Sequence, residues 1–112
     1  MNTSPSFIHL IPNWLQHSKS YYASLVAPDR TYLWMNGLFT DKFCESGKTL
    51  IGVNYEGTVH EDDIPKCSEI ARMCFQFPEE TFTIKIRKPD LENGGYFWTI
   101  WDFSSLVIDK ET

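Results

Sequence analysis

The sequence has few of the features that mark membrane, secreted or metal-binding chains. Its three cysteines, Cys44, Cys67 and Cys74, show no C-x-x-C spacing, so we expect neither a zinc site nor a redox dithiol. An odd number of cysteines without a secretory leader predicts reduced thiols in the cytoplasm. The apolar runs are far shorter than the ~20 residues that cross a bilayer as a helix. We expect no membrane contact by this chain, although its parent protein could be membrane-attached.

Positive charge is also scarce. Ten basic residues stand against fifteen acidic ones, and the formal net charge is -5. This sign opposes the binding of phosphate backbones, so we expect no nucleic-acid partner. The sequence has no Walker motif, no G-x-G-x-x-G loop and no G-x-S-x-G elbow, the motifs that would point to nucleotide binding or to a serine nucleophile.

Aromatic residues, by contrast, are abundant. The chain has 112 residues, the size of one domain, and 15% of them are aromatic: four Trp, five Tyr and eight Phe. So much ring surface in a short chain indicates a large core, an apolar pocket or an adhesive interface. Composition alone leaves these three readings open.

Apolar spacing divides the first half of the chain into short elements. After a polar start, residues 12–18 favour a short helix, because their proline suits only a first helical turn. Residues 21–26 and 31–35 are β-prone and flank a turn, which predicts a β-hairpin. Residues 38–43 follow at helical spacing, and residues 49–57 favour irregular turns.

The second half predicts one long helix and a second hairpin. Asp62 or Asp63 is placed to cap a helix that begins at Ile64 and is stopped by Pro78. The apolar stripe of this helix comprises Ile64, Cys67, Ile70, Ala71, Cys74 and Phe75. From Glu80 the apolar residues recur with a period of two, and after a glycine-rich loop residues 96–108 form a long aromatic strand.

This order of elements predicts an α+β fold. We expect an antiparallel sheet with helices inserted between two β-hairpins. Residues 1–18 form an N-terminal arm with a short helix, and residues 19–112 form the domain itself.

Several motifs stand along the chain in an order that matches one known family. They are Asn36 with Phe39 (N-x-x-F), Gly47 with residues 50–52, residues 59–63 (v-H-P-x-D, with Glu61 in place of proline), and residues 80–88 followed by 95–98. Together they resemble the PAS domain, and the last pair resembles its subgroup with a G-x-x-x-W strand motif. The match runs from about Tyr21 to the C-terminus.

The resemblance implies a sensory and dimerisation domain of a bacterial signal-transduction protein, such as a sensor histidine kinase. Such a domain forms a homodimer, binds a small ligand or a partner, and passes a packing change to a covalently attached effector outside this chain. The family also has a fifth strand, which would lie beyond Thr112, so we expect the sheet to lack its last strand here. Haem is disfavoured because residues 64–77 contain no histidine, and covalent flavin because no cysteine lies in an N-C-R-F-L-Q motif.

Two sets of apolar side chains are candidates for function. The first set would line an interior pocket: Phe39, Phe43, Ile51, Ile70, Phe82, Ile84, Trp98 and Ile100. A filled core is the alternative. The second set would form a dimer interface, because the last strand alternates apolar residues on both faces and needs a second cover. It comprises Trp14, Leu15, Phe97, Trp101 and Phe103. A half-exposed aromatic strand is the alternative here.

Catalytic and metal sites are weakly supported. His60 and the carboxylates at 61–63 are consecutive and cannot easily converge on one ion, whereas helix capping explains the carboxylates. We therefore expect no metal, no catalytic residue and no enzyme activity. Two alternatives remain for the function: a ligand-free PAS interaction module, and a small enzyme with an α+β pocket that uses Asp102 or Glu80 as a buried base.

Overall fold

The computed structural model describes residues 7–106, which form an α+β fold, as the sequence predicts. Its helices are α1 (Asn13–Gln16), α2 (Gly37–Phe43) and α3 (Ile64–Gln76), and its strands are β1 (Ser24–Val26), β2 (Tyr32–Met35), β3 (Phe82–Pro89) and β4 (Tyr96–Phe103). Single 3-10 turns lie at Ile8–Leu10, Tyr55–Thr58 and Glu61–Asp63. Helices α2 and α3 lie between the two hairpins, which confirms the predicted order.

The two hairpins form separate sheets. Strands β1 and β2 are antiparallel, and strands β3 and β4 pair along their whole length, from Phe82 opposite Phe103 to Pro89 opposite Tyr96. The sequence predicts one common antiparallel sheet, and the structure corrects this for residues 7–106. Each hairpin pairs locally across its own turn, and no described strand joins β1 to β4.

Strand lengths also differ from the prediction. The last strand ends at Phe103, whereas the aromatic pattern predicts strand to Ile108; residues 104–106 are irregular, and 107–108 lie outside the described residues. The length of the partner strand β3 explains why β4 ends at Phe103. Because β3 begins at Phe82, which pairs with Phe103, the hairpin offers no backbone groups beyond that point.

Asn36 joins the first hairpin to α2 and the N-terminal segment. Its side-chain oxygen accepts hydrogen bonds from the backbone N–H of Phe39 (3.0 Å), as an N-cap does, and of Ala23 (3.1 Å). Its amide nitrogen donates to the carbonyls of Leu15 and Tyr21, both at 2.9 Å. The residue is 2% exposed, so one buried amide satisfies four backbone groups in three segments.

Asp63 does not cap α3 as predicted. It occupies the N-cap position, but its carboxylate accepts hydrogen bonds from the backbone N–H, Nε and a terminal guanidinium nitrogen of Arg87 on β3, at 2.7, 3.0 and 2.9 Å. The N–H of His60 donates to the Arg87 carbonyl at 3.0 Å. The start of α3 is therefore fastened to the edge of β3 that faces away from β4.

Two clusters of buried side chains form the core. One comprises Tyr32, Met35, Phe39 and Phe43, and the other comprises Val59, Cys67, Ile84 and Ile86. Tyr55 and Trp101 pack against both clusters and connect them. Of the predicted α3 stripe, Cys67 and Cys74 are buried, but Phe75 is 60% exposed.

Candidate functional site

The eight residues predicted to line a pocket do not share one environment. Phe39, Phe43 and Ile84 are buried in the core, and Ile70 and Phe82 are half-buried. The other three point away from the interior: Ile51, Trp98 and Ile100 are 47%, 59% and 67% exposed. The structure therefore does not bring this set together around one cavity.

The two faces of β4 are reversed relative to the prediction. Phe97, Trp101 and Phe103, predicted as interface, pack against the core, whereas Trp98 and Ile100 point outward. The register is the physical reason, because Trp101 lies opposite the buried Ile84 of β3. The aromatic pattern showed that both faces are apolar, but only the pairing with β3 decides which face is inside.

The N-terminal candidates lie at the edge of the molecule. Trp14 is 64% exposed and meets the ring of Tyr21 edge to face, with 6.2 Å between ring centroids. Leu15 is half-buried, and its carbonyl accepts a hydrogen bond from Asn36. Ile11, between these residues and the start of the described chain, is buried, with 9% exposure.

The most unusual interior group is the side chain of Lys88, which is 3% exposed. Its ammonium lies 5.3–6.0 Å from the centroids of four aromatic rings: those of Tyr32, Phe39, Phe43 and Trp101. We call these four rings the aromatic cage. Such ring faces attract a cation through their negative electrostatic potential. The end of Lys88 therefore occupies the space between the two hairpins and α2.

Two hydroxyl groups complete the surroundings of Lys88. Its Nζ donates to Thr58 Oγ1 at 3.2 Å and to Tyr32 Oη at 3.3 Å, and these two oxygens lie 2.7 Å apart. Among the described residues, no carboxylate lies within ion-pair distance of Lys88. Because burial disfavours the charged form, it lowers the pKa of Lys88 to about 8.

Sequence reasoning missed Lys88, although a signal for it was present. Position 88 is in phase with Phe82, Ile84 and Ile86, which form the inward face of β3. Period-two alternation therefore predicts an inward lysine. The pattern cannot show whether the ammonium then bends out to water, as lysine side chains commonly do.

Strand β4 carries a row of exposed apolar side chains on the face of the second hairpin that points away from the core. Tyr96, Trp98 and Ile100 alternate along this strand and are 52%, 59% and 67% exposed. We call these three side chains the outer face. A shallow concavity of about 700 Å³ beside it is lined by Lys85, Trp98, Thr99 and Ile100.

Cationic side chains hold Trp98 in place on the outer face. The guanidinium carbon of Arg87 lies 4.7 Å from a ring centroid of Trp98, and the Lys66 ammonium lies at 5.5 Å. Arg87 is itself held by the buried carboxylate of Asp63, whose pKa it keeps well below the usual range. The indole is therefore positioned by a fixed cation while it stays more than half exposed.

Residues 7–106 give little support to a metal site, a membrane-spanning helix or a disulfide. These residues contain no group of three or more His, Cys, Asp or Glu side chains that could hold a metal ion, and no helix long and apolar enough to cross a membrane. The three cysteines are free thiols. A second concavity of about 330 Å³ is lined by Asp41, Lys42, Cys44, Glu45, Ser46, Leu91 and Glu92, and Lys42 forms an ion pair with Glu92 there.

Neither candidate catalytic base is buried. Glu80 and Asp102 are both exposed, and the Asp102 carboxylate accepts a hydrogen bond from Thr83 Oγ1 at 2.6 Å. The enzyme alternative requires a carboxylate in an apolar site, which neither position provides.

Comparison with known proteins adds no relative. No protein-family model, no curated protein and no solved structure matches this chain.

Proposed function

We propose that this chain is a non-catalytic, PAS-like association domain of a bacterial signalling protein, such as a sensor histidine kinase. It pairs with a second copy of itself in the cytoplasm and passes a change of packing to a covalently attached effector. The motifs from Asn36 to Trp98 and the order hairpin, helices, hairpin support this proposal.

The outer face is the observation that carries the proposal. Three large apolar side chains on one strand are each more than half exposed, and a patch of this kind is typical of a surface that another protein covers. We therefore propose Tyr96, Trp98 and Ile100 as the contact residues, instead of Phe97, Trp101 and Phe103.

The charges around the outer face suit a second copy of the chain. Ile100 lies opposite Lys85, and Asp102 follows two residues later on the same face. A twofold interface brings one patch against an identical patch, so a surface with both charge signs can satisfy itself. An apolar centre with such a rim is the usual composition of a dimer contact.

The interior favours the ligand-free form of the domain. Lys88 and the aromatic cage fill the space between the hairpins where the pocket was predicted. A small organic ligand would have to displace a side chain that is already held by four rings and two hydroxyl groups.

Light scattering coupled to size-exclusion chromatography tests the proposal. We expect the wild-type chain to elute as a dimer and Trp98→Glu as a monomer, because the substitution removes a large apolar side chain from the contact and the desolvation of a carboxylate costs more than the nearby Arg87 and Lys66 restore. Phe75→Glu is the matched control, since Phe75 is 60% exposed but lies on α3, and it should remain a dimer. A wild-type monomer, or a Trp98→Glu dimer of unchanged affinity, would refute the proposed contact.

A further inference from the structure

Lys88 lies where the two hairpins, α2 and the 3-10 turn Tyr55–Thr58 meet. It projects from β3 and donates hydrogen bonds to Tyr32 on β2 and to Thr58 in that turn. Two rings of the cage belong to α2, and Trp101 belongs to β4. A change in the charge of this one amine therefore acts on the contact between the two hairpins.

The surroundings of Lys88 suit neither charge state fully. An ammonium group has three hydrogen-bond donors, but residues 7–106 provide only two acceptors within reach, the hydroxyl groups at 3.2 and 3.3 Å. The rings attract the cation, and burial adds a large desolvation cost that no carboxylate of these residues offsets. Removal of the proton relieves that cost and also removes the attraction to the rings. The two states therefore favour different packing of the cage.

The ionisable groups around Lys88 do not mask its titration. Burial raises the pKa of Tyr32 on β2 to about 12 and that of Cys67 on α3 to about 11, and it also raises the pKa of Tyr55. The side chains of α2 and β4 that surround the ammonium of Lys88 are Phe39, Phe43 and Trp101, which carry no ionisable group. Cys44, at the end of α2, carries a thiol that contacts Met35 and needs a control.

We propose that Lys88 is a proton-binding site whose charge state switches the packing between the two hairpins. The protonated amine holds the cage through the rings and both hydroxyl groups, and the neutral amine loses the attraction to the rings, so the contact between the hairpins repacks. This inference goes beyond the proposed function and does not depend on whether the chain forms a dimer.

Nuclear magnetic resonance tests the switch in the full chain with lysine labelled at Cε. We expect the Lys88 signal to titrate at least two pH units below 10.5, the ordinary value of a lysine amine. Backbone amide signals of Tyr32, Phe39 and Trp101 should shift with the midpoint of Lys88. A Lys88 midpoint close to that of the other lysines would overturn the proposal, and this measurement needs no variant.

Variants show whether the packing change belongs to Lys88. The amide shifts should vanish in Lys88→Gln and persist in Lys85→Gln, which alters an exposed lysine of the same strand. They should also persist in Cys44→Ser, which removes the nearby thiol. If Lys88→Gln does not fold, Lys88→Met provides the same comparison with an apolar side chain. Shifts that survive in a folded Lys88 variant would refute the switch.

Discussion

Replacing Lys88 by methionine should make the protein more stable, although it removes two hydrogen bonds. The pKa of Lys88 is about 8 in the folded chain against an ordinary value of 10.5. At ~1.4 kcal/mol per pKa unit, keeping this amine protonated in the interior costs about 3 kcal/mol. Methionine fills a similar volume without charge. It leaves no partner unsatisfied, because Tyr32 and Thr58 remain hydrogen-bonded to each other at 2.7 Å.

The lowered pKa of Lys88 also determines how the stability of the wild-type chain changes with pH. Between pH 8 and 10.5 the unfolded chain binds more protons at Lys88 than the folded chain does, so wild-type stability rises with pH across that window. The advantage of Lys88→Met should therefore be about 3 kcal/mol at pH 7 and should shrink towards zero near pH 10.5.

Urea unfolding, followed by circular dichroism at several pH values, measures both quantities. Lys48→Met is the matched control, because Lys48 is exposed and forms a surface ion pair with Glu45; it should change the free energy of unfolding by less than ~1 kcal/mol. If Lys88→Met is less stable than wild type at pH 7, or if the two stability curves run parallel with pH, the assigned burial cost is wrong.

Two further variants test the contacts that position the site. Asp63→Asn should lower the free energy of unfolding by about 3 kcal/mol in urea melts at pH 7, because Arg87 loses a buried charged partner. Because the pKa of Asp63 is depressed in the folded chain, this advantage of the wild type should fade as the pH drops below ~4. An advantage that persists at low pH would contradict this. Asn36→Ala should cost about 2–4 kcal/mol in the same assay, because four backbone groups lose the side chain that satisfies them, whereas Asn93→Ala, at an exposed loop position, should be near neutral. Equal effects of the two alanine variants would refute the role of Asn36.

Much of the fold is predictable because it depends on local periodicity. The period of two predicts β3 and most of β4, and the helical spacing with Pro78 predicts α3. The predicted length of β4 is too great because β4 ends where its partner β3 begins, at the pair Phe82–Phe103. The role of Asp63 is missed for a similar reason, since its partner Arg87 lies 24 residues away.

The sequence by itself determined the α+β class, the order of the elements and the apolar character of both faces of β4. These follow from the spacing of residues along one strand or helix. The tertiary structure alone decided which face of β4 is buried and where the ammonium of Lys88 lies. Both depend on contacts between different elements: the register of β4 on β3, and the meeting of β2, α2 and β4 around one side chain. The spacing of residues within one strand or helix does not record such contacts, because each of them also depends on how a second element is placed.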